Sequence, residues 1–121
     1  MSDFNGQIRS LKIYGDEFWT FYNKQNQKIQ NRILWTFRLV RDIPVVPEKY
    51  FKHLTGTVGL YEIRVSAGSD IYHIFCFFDE GRLVIVLNGF QKKTQKTPPN
   101  EIERAERLRK HYYEDKAKQA G

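Results

Sequence analysis

Apolar and polar residues follow one another in this chain with two different periods, and the switches between the periods divide it into elements. Ile8-Arg-Ser-Leu-Lys-Ile-Tyr14 alternates loosely and predicts a first strand, closed by Gly15. Asp16 then stands as the N-cap of a helix reaching about Asn26, with Phe18, Trp19, Phe21 and Tyr22 forming a broad apolar face that belongs to the core. A second helix is expected from about Gln27 to Asp42. Its Ile29, Ile33, Phe37 and Val40 recur at helical spacing, and Pro44 and Pro47 end it. Residues 44–59 read as a loop with one short turn.

Three strands come next. In Leu60-Tyr-Glu-Ile-Arg-Val-Ser66 the residues Tyr61, Ile63 and Val65 fall on one face and Glu62, Arg64 and Ser66 on the other. Ile71–Phe78 is apolar on both faces apart from Tyr72 and His73, which marks a central strand. A tight turn at Asp79-Glu-Gly-Arg82 leads to Leu83-Val-Ile-Val-Leu87. A final helix opens after Pro98-Pro99, with Asn100 and Glu103 spaced as a capping box and Ile102, Ala105, Leu108 and Tyr112 facing the body. Residues from about 115 to 121 are expected to fray. The expected order is β-α-α-β-β-β-α, an α+β fold in one domain spanning 1–121. Two helices pack on a small antiparallel sheet, and one sheet face stays partly open.

Composition narrows the class. Hydrophobic residues make up 40% of the 121 and aromatic residues 15%, enough for a folded chain with one modest core. No apolar run approaches the roughly 20 residues that span a bilayer, and the first residues lack the basic-then-apolar pattern of a secretory leader. Cys76 is the only cysteine, and His53, His73 and His111 lie far apart, so neither a disulfide nor a metal-ligand spacing is present. The expectation is a cytoplasmic protein without cofactor or membrane partner. Net charge is +6, and residues 1–60 and 88–121 each carry nine basic residues against five acidic ones, whereas 61–87 carry two against four. The basic excess therefore flanks the sheet, as suits a groove for an acidic partner.

The segment Gly89-Phe-Gln-Lys-Lys-Thr-Gln-Lys-Thr-Pro98 carries the most chemistry. Lys92, Lys93 and Lys96 emerge where a buried strand ends, with Gln91 and Thr94 as neutral hydrogen-bonding groups and no carboxylate within the segment. Such a set suits a polyanion, most simply a phosphodiester backbone, although a short lysine cluster is also what a solvated loop looks like.

Taken in order, Leu60-Tyr-Glu-Ile-Arg-Val65, Ile71-Tyr-His-Ile-Phe75 and Leu87-Asn-Gly-Phe-Gln-Lys-Lys-Thr-Gln-Lys-Thr-Pro98 resemble the RelE/ParE superfamily of toxins, and within it the HigB-like, phage-derived Gp49-like branch. The likeness covers roughly residues 8–113. It implies the toxin of a type II toxin–antitoxin pair that cleaves mRNA without a metal, often on the ribosome. Such a toxin is neutralised by a cognate helix-turn-helix antitoxin, and that complex binds operator DNA. In many relatives the residue after the tyrosine of the second segment is an arginine that helps stabilise the cleaved phosphate; here His73 takes that place.

Metal-free cleavage of RNA needs a proton acceptor for the 2′-hydroxyl, positive charge at the phosphorus and a proton for the leaving 5′-oxygen. Arg64, Lys92 and Lys93 are the candidates for the phosphate and His73 for proton transfer. Glu62 is the candidate base or the group that orients the histidine. Lys96, Thr94, Gln91 and Arg107 are candidate RNA contacts, and Tyr112 or Tyr113 could stack on a base. Other readings remain open at this level: His73 as a core histidine, Arg64 as a surface partner of Glu62, and the arginine face of the last helix as solvated surface, antitoxin contact or ribosomal RNA contact. For the whole protein the alternatives are a ParE-type inhibitor of DNA gyrase, which is not an enzyme, and a basic nucleic-acid-binding module without catalysis. The nuclease reading requires the lysine segment and the polar face of the sheet to converge on one cleft.

Overall fold

A computed structural model describes residues 3–120. Six strands form one sheet: β1 Asp3–Phe4, β2 Ser10–Ile13, β3 Phe51–His53, β4 Leu60–Ala67, β5 Asp70–Asp79 and β6 Leu83–Gln91, in the spatial order β1-β2-β6-β5-β4-β3. Only the β2–β6 pair is parallel. The helices are α1 Glu17–Asn23, α2 Gln27–Asp42 and α3 Pro99–Ala120. The architecture is α+β as expected, and β5 lies inside the sheet.

Two short edge strands extend the expected order. β1 is a two-residue pairing that alternation is too short to reveal, and β3 lies inside the segment expected to be loop, held by pairing with β4 rather than by its own pattern. The first helix ends earlier than expected. Asn26, instead of ending it, adopts an extended backbone and accepts from Ile29 N at 3.0 Å, which caps α2. At α3 the capping box does not form as predicted: Pro99 occupies the first helical position, where its missing N–H costs nothing, and Pro98 O accepts from Glu101 N and Ile102 N.

Alternation along β4 and β5 sorts two cores. Ile63, Val65, Tyr72, Ile74 and Cys76 face α1 and α2, joined by Phe18, Phe21, Ile33, Phe37 and Val40. Leu60, Phe75, Phe77, Ile85, Leu87 and Phe90 face the other way and meet Ala105 and Tyr112 of α3. The second face is therefore less open than expected, because α3 covers the part of it nearest β6.

Residues 115–120, expected to fray, are helical. They continue α3, and charged groups fasten its end. Tyr112 donates from its hydroxyl to Asp79 Oδ2 at 2.7 Å, Lys116 Nζ reaches the same oxygen at 2.9 Å and Glu80 at 3.0 Å, and Tyr14 donates to Asp115 at 2.5 Å. Gly121 lies outside the described residues.

One irregularity re-phases β6. Ile74 pairs with Gly89 and Cys76 with Val86, so two residues, Leu87 and Asn88, oppose Phe75 alone. After this bulge Gly89 turns toward α1 and Phe90 toward the opposite face. A Cβ on Gly89 would stand 2.6 Å from Phe21 Cδ2, so the close approach of α1 requires glycine here. Gly89→Ala should cost roughly 1–3 kcal/mol through overpacking, read as a lowered urea midpoint; an unchanged midpoint would mean that α1 adjusts freely.

Candidate active-site cleft

The polar side of β4 meets β5 in register. Arg64 lies opposite His73 and Glu62 opposite Phe75, so the three titratable side chains share one patch of the face. His73 Nδ1 sits 2.8 Å from Glu62 Oε2, and Arg64 Nε lies 2.9 Å from Glu62 Oε1. Glu62 and His73 are almost wholly buried, at 3% and 2% exposure, whereas a third of the Arg64 side chain reaches solvent.

Burial works to raise the Glu62 pKa, but the hydrogen bond and charge of His73, with the charges of Arg64 and Lys92, outweigh it and hold the carboxyl below its ordinary range. The imidazole is fixed from a second direction by Phe90, stacked at 5.6 Å between centroids and 17° between planes. Phe90 can take that place because the bulge re-phases β6.

Lys92 follows the last residue of β6, and its N–H donates to Ile71 O at 3.2 Å, which prolongs the β5–β6 pairing by one bond. Its side chain lines a cleft of about 410 Å³ together with Arg64, His73, Thr94, Lys49 and Asp70. Arg64 and Lys92 also line a smaller hollow of about 190 Å³ with Glu62, Lys52, His53 and Thr97. Both cations thus stand between two concavities.

The structure brings together Arg64, His73, Lys92 and Thr94, with Glu62 behind them. Lys93 and Lys96 are exposed in the segment that follows and line neither hollow. Four other residues singled out from the sequence lie outside this group or are engaged elsewhere. Tyr112 cannot offer its ring to a base: it is 8% exposed, packed edge-on against Tyr14 and Phe77, with its hydroxyl on Asp79. Gln91 alternates with Phe90 and so belongs to the side of the sheet away from the cleft. Arg107 is exposed on α3 and lines neither hollow. Glu62 is a poor base for an incoming hydroxyl, since each of its oxygens already faces a cationic or N–H group.

Sequence reasoning missed Lys49, Lys52 and His53. They reach the site because Tyr50 O accepts from Arg64 N at 2.8 Å and β3 pairs with β4. The only signal was the aromatic pair Tyr50-Phe51 within a segment otherwise read as loop.

A family model described as phage-derived Gp49-like protein (DUF891) matches residues 20–110, three quarters of the chain. The chain belongs to that family, a family of RelE/HigB-like toxins, and membership points to the toxin of a toxin–antitoxin system with an antitoxin as partner. No curated protein matches it. Among the described residues no helix is long and apolar enough to cross a membrane.

A depressed carboxyl pKa has a definite sign in stability. The unfolded chain protonates Glu62 near its ordinary value of 4.5 and the folded chain only at lower pH, so its contribution is full above 4.5 and is lost as pH falls through the lower folded value. In urea titrations from pH 6 to about 2.5, the Glu62→Gln variant should therefore lose stability less steeply than the parent below 4.5. Asp79, also depressed, contributes equally to both proteins and cancels. Parallel curves would mean that Glu62 is not held in its charged form by the fold.

Proposed function

We propose, from that membership and from the cleft, that this protein is a metal-independent endoribonuclease that cuts mRNA on the ribosome, acts in the cytoplasm and is restrained by a cognate antitoxin. The observation that carries the reading is the buried His73–Glu62 hydrogen bond on a cleft that also holds Arg64 and Lys92.

In this mechanism a 2′-hydroxyl attacks the adjacent phosphorus. The O2′–P bond forms, the P–O5′ bond breaks, and a 2′,3′-cyclic phosphate and a 5′-hydroxyl result. His73 takes the 2′ proton. Glu62, bonded to Nδ1, leaves the other ring nitrogen as the proton acceptor and stabilises the imidazolium that forms, the role a buried carboxylate plays behind a catalytic histidine. Arg64 and Lys92 meet the negative charge that grows on the phosphoryl oxygens, and they favour the transition state to the extent that they are held in place beforehand. The leaving oxygen takes its proton from water on the open side. DNA lacks the nucleophile and is not cut. Lys93, Lys96 and Thr94 draw in and hold the polyanion. A histidine where many members of the resembled superfamily carry arginine shifts the emphasis of the site: the phosphate relies on Arg64 and Lys92, and the histidine is left for proton transfer.

Lys92→Ala and Arg64→Ala should each lower RNA cleavage by about 10²- to 10³-fold while the protein stays folded. Lys93→Ala, at a position that lines neither hollow, should stay within about threefold of the parent, the range left to exposed charges that only steer a ligand. The readouts are growth on induction and mapping of transcript ends bearing 2′,3′-cyclic phosphates. Undiminished toxicity in the Lys92→Ala, Arg64→Ala double variant would defeat the assignment. Intact transcripts with DNA damage would favour inhibition of gyrase instead.

A further inference from the structure

A second basic surface adjoins the cleft. Lys28, Arg32, Trp35 and Arg38 recur at spacings of four, three and three along α2 and so share one face. They line a hollow of about 590 Å³ that also takes in Ser66 and Gly68 of the β4–β5 hairpin, and no acidic residue lines it. Trp35 is 38% exposed, unlike Phe37 on the buried face of the same helix.

The surface is ordered rather than a fringe of loose side chains. Arg32 Nε donates to Ser66 O at 3.1 Å, which holds its guanidinium carbon 4.2 Å from the centroid of the Trp35 ring. Tyr50 meets Trp35 at 5.8 Å in an edge-on contact, and Lys49 Nζ lies 5.0 Å from the Tyr50 ring. Ser66 lines both this hollow and the cleft, and Lys49 lines the cleft, so the two concavities adjoin at Ser66, round the edge of the sheet from one another.

We infer that the RNA strand whose scissile phosphate sits at Arg64 and Lys92 continues past Ser66 onto α2, where Lys28, Arg32 and Arg38 bind its phosphates and a base stacks on the Trp35–Arg32 pair. This extended track rests on the ribonuclease reading. Its occupant is single-stranded RNA because the surface meets the cleft at Ser66 and combines cations with stacking planes, the two elements that hold a single strand without reading its sequence.

The test is fluorescence anisotropy on the full chain with single-stranded RNAs of about four and about twelve nucleotides, 2′-O-methylated to block turnover. The longer RNA should bind more tightly to the parent protein. Arg32→Ala with Arg38→Ala should weaken it about tenfold or more and reduce the slope of log affinity against log salt by about 1.4, from about 0.7 per phosphate contact. Trp35→Ala should weaken it about tenfold, and the shorter RNA should be unaffected by any of these changes. Arg38→Glu, at an exposed position, gives the same reading should Trp35→Ala fold poorly.

Lys92→Ala should weaken both lengths. If it does so while the α2 variants leave both lengths unchanged, the track falls and the ribonuclease reading stands. If Lys92→Ala changes neither length, both fall. Unchanged RNA affinity in α2 variants that no longer bind the antitoxin would assign the surface to protein and overturn the inference.

Discussion

Glu62 is an ionised carboxylate on a strand face where 3% of the residue reaches solvent, and such a charge persists only where neighbours meet it. Two oxygens need partners, and the register of β4 on β5 supplies them: His73 for Oε2 and Arg64 for Oε1. The pair is not a source of stability in itself, since well-packed apolar residues of the same volume commonly do as well. Its effect is positional. Removing either partner would leave one carboxylate oxygen unmet while the other keeps its partner, so the carboxylate places the imidazole and the guanidinium where the cleft begins. Arg64 is held more loosely: its Nε is buried and close to Oε1 yet makes no hydrogen bond of adequate angle. Charge attraction holds it, which leaves the outer nitrogens free to serve a ligand.

The bulge at Leu87–Asn88 and the cover provided by α3 decide where the opening lies. α3 is fastened at one end through Asp79, Glu80 and Tyr14, and near its start Asn88 Nδ2 contacts Glu101. Between those points it seals the aromatic layer of Phe75, Phe77 and Tyr112. Phe90 lies on His73 at the margin of that layer, where the cleft begins. Without the added residue, Phe90 would point toward α1 and the glycine would face the cleft. The same bulge thus places a ring against the histidine and lets Phe21 approach the backbone.

Much of this was legible in the chain, for reasons that differ by element. α2 runs over the predicted residues because a long amphipathic period between an asparagine cap and two prolines leaves little choice. The faces of β4 followed from alternation, which is why Glu62 and Arg64 were paired in advance and why their meeting with His73 could be anticipated. Burial was the part that alternation could not supply. Tyr112 read equally well as a core residue or as a surface ring, and Asp79, distant in sequence, decided it. Gln91 was misplaced because periodicity carries no sign of a bulge. β3 and Lys49 were missed because an edge strand of three residues is created by its neighbour and has no pattern of its own. The tail was expected to fray because its partners, Asp79 and Tyr14, lie 37 and 101 residues away, beyond any local rule.

Separating Lys92 from the lysines after it shows what the fold adds to a charge cluster. All three contribute equally to the net charge and to the long-range field that draws in a polyanion. Stabilising a transition state asks for something different, because an ammonium that must first be brought to the phosphate spends part of its interaction on its own ordering. Lys92 has the backbone part of that ordering already. Its amide is bonded to Ile71, one step beyond the strand, and its side chain stands beside Arg64 between two hollows. Lys93 and Lys96 lie in the segment where strand pairing has ended; the hydrogen bond from Thr94 Oγ1 to Lys96 O is local and does not tie the segment to the sheet. A run of like residues therefore divides into one charge on an anchored backbone and two on a segment beyond it, and the division falls at the last hydrogen bond of the sheet.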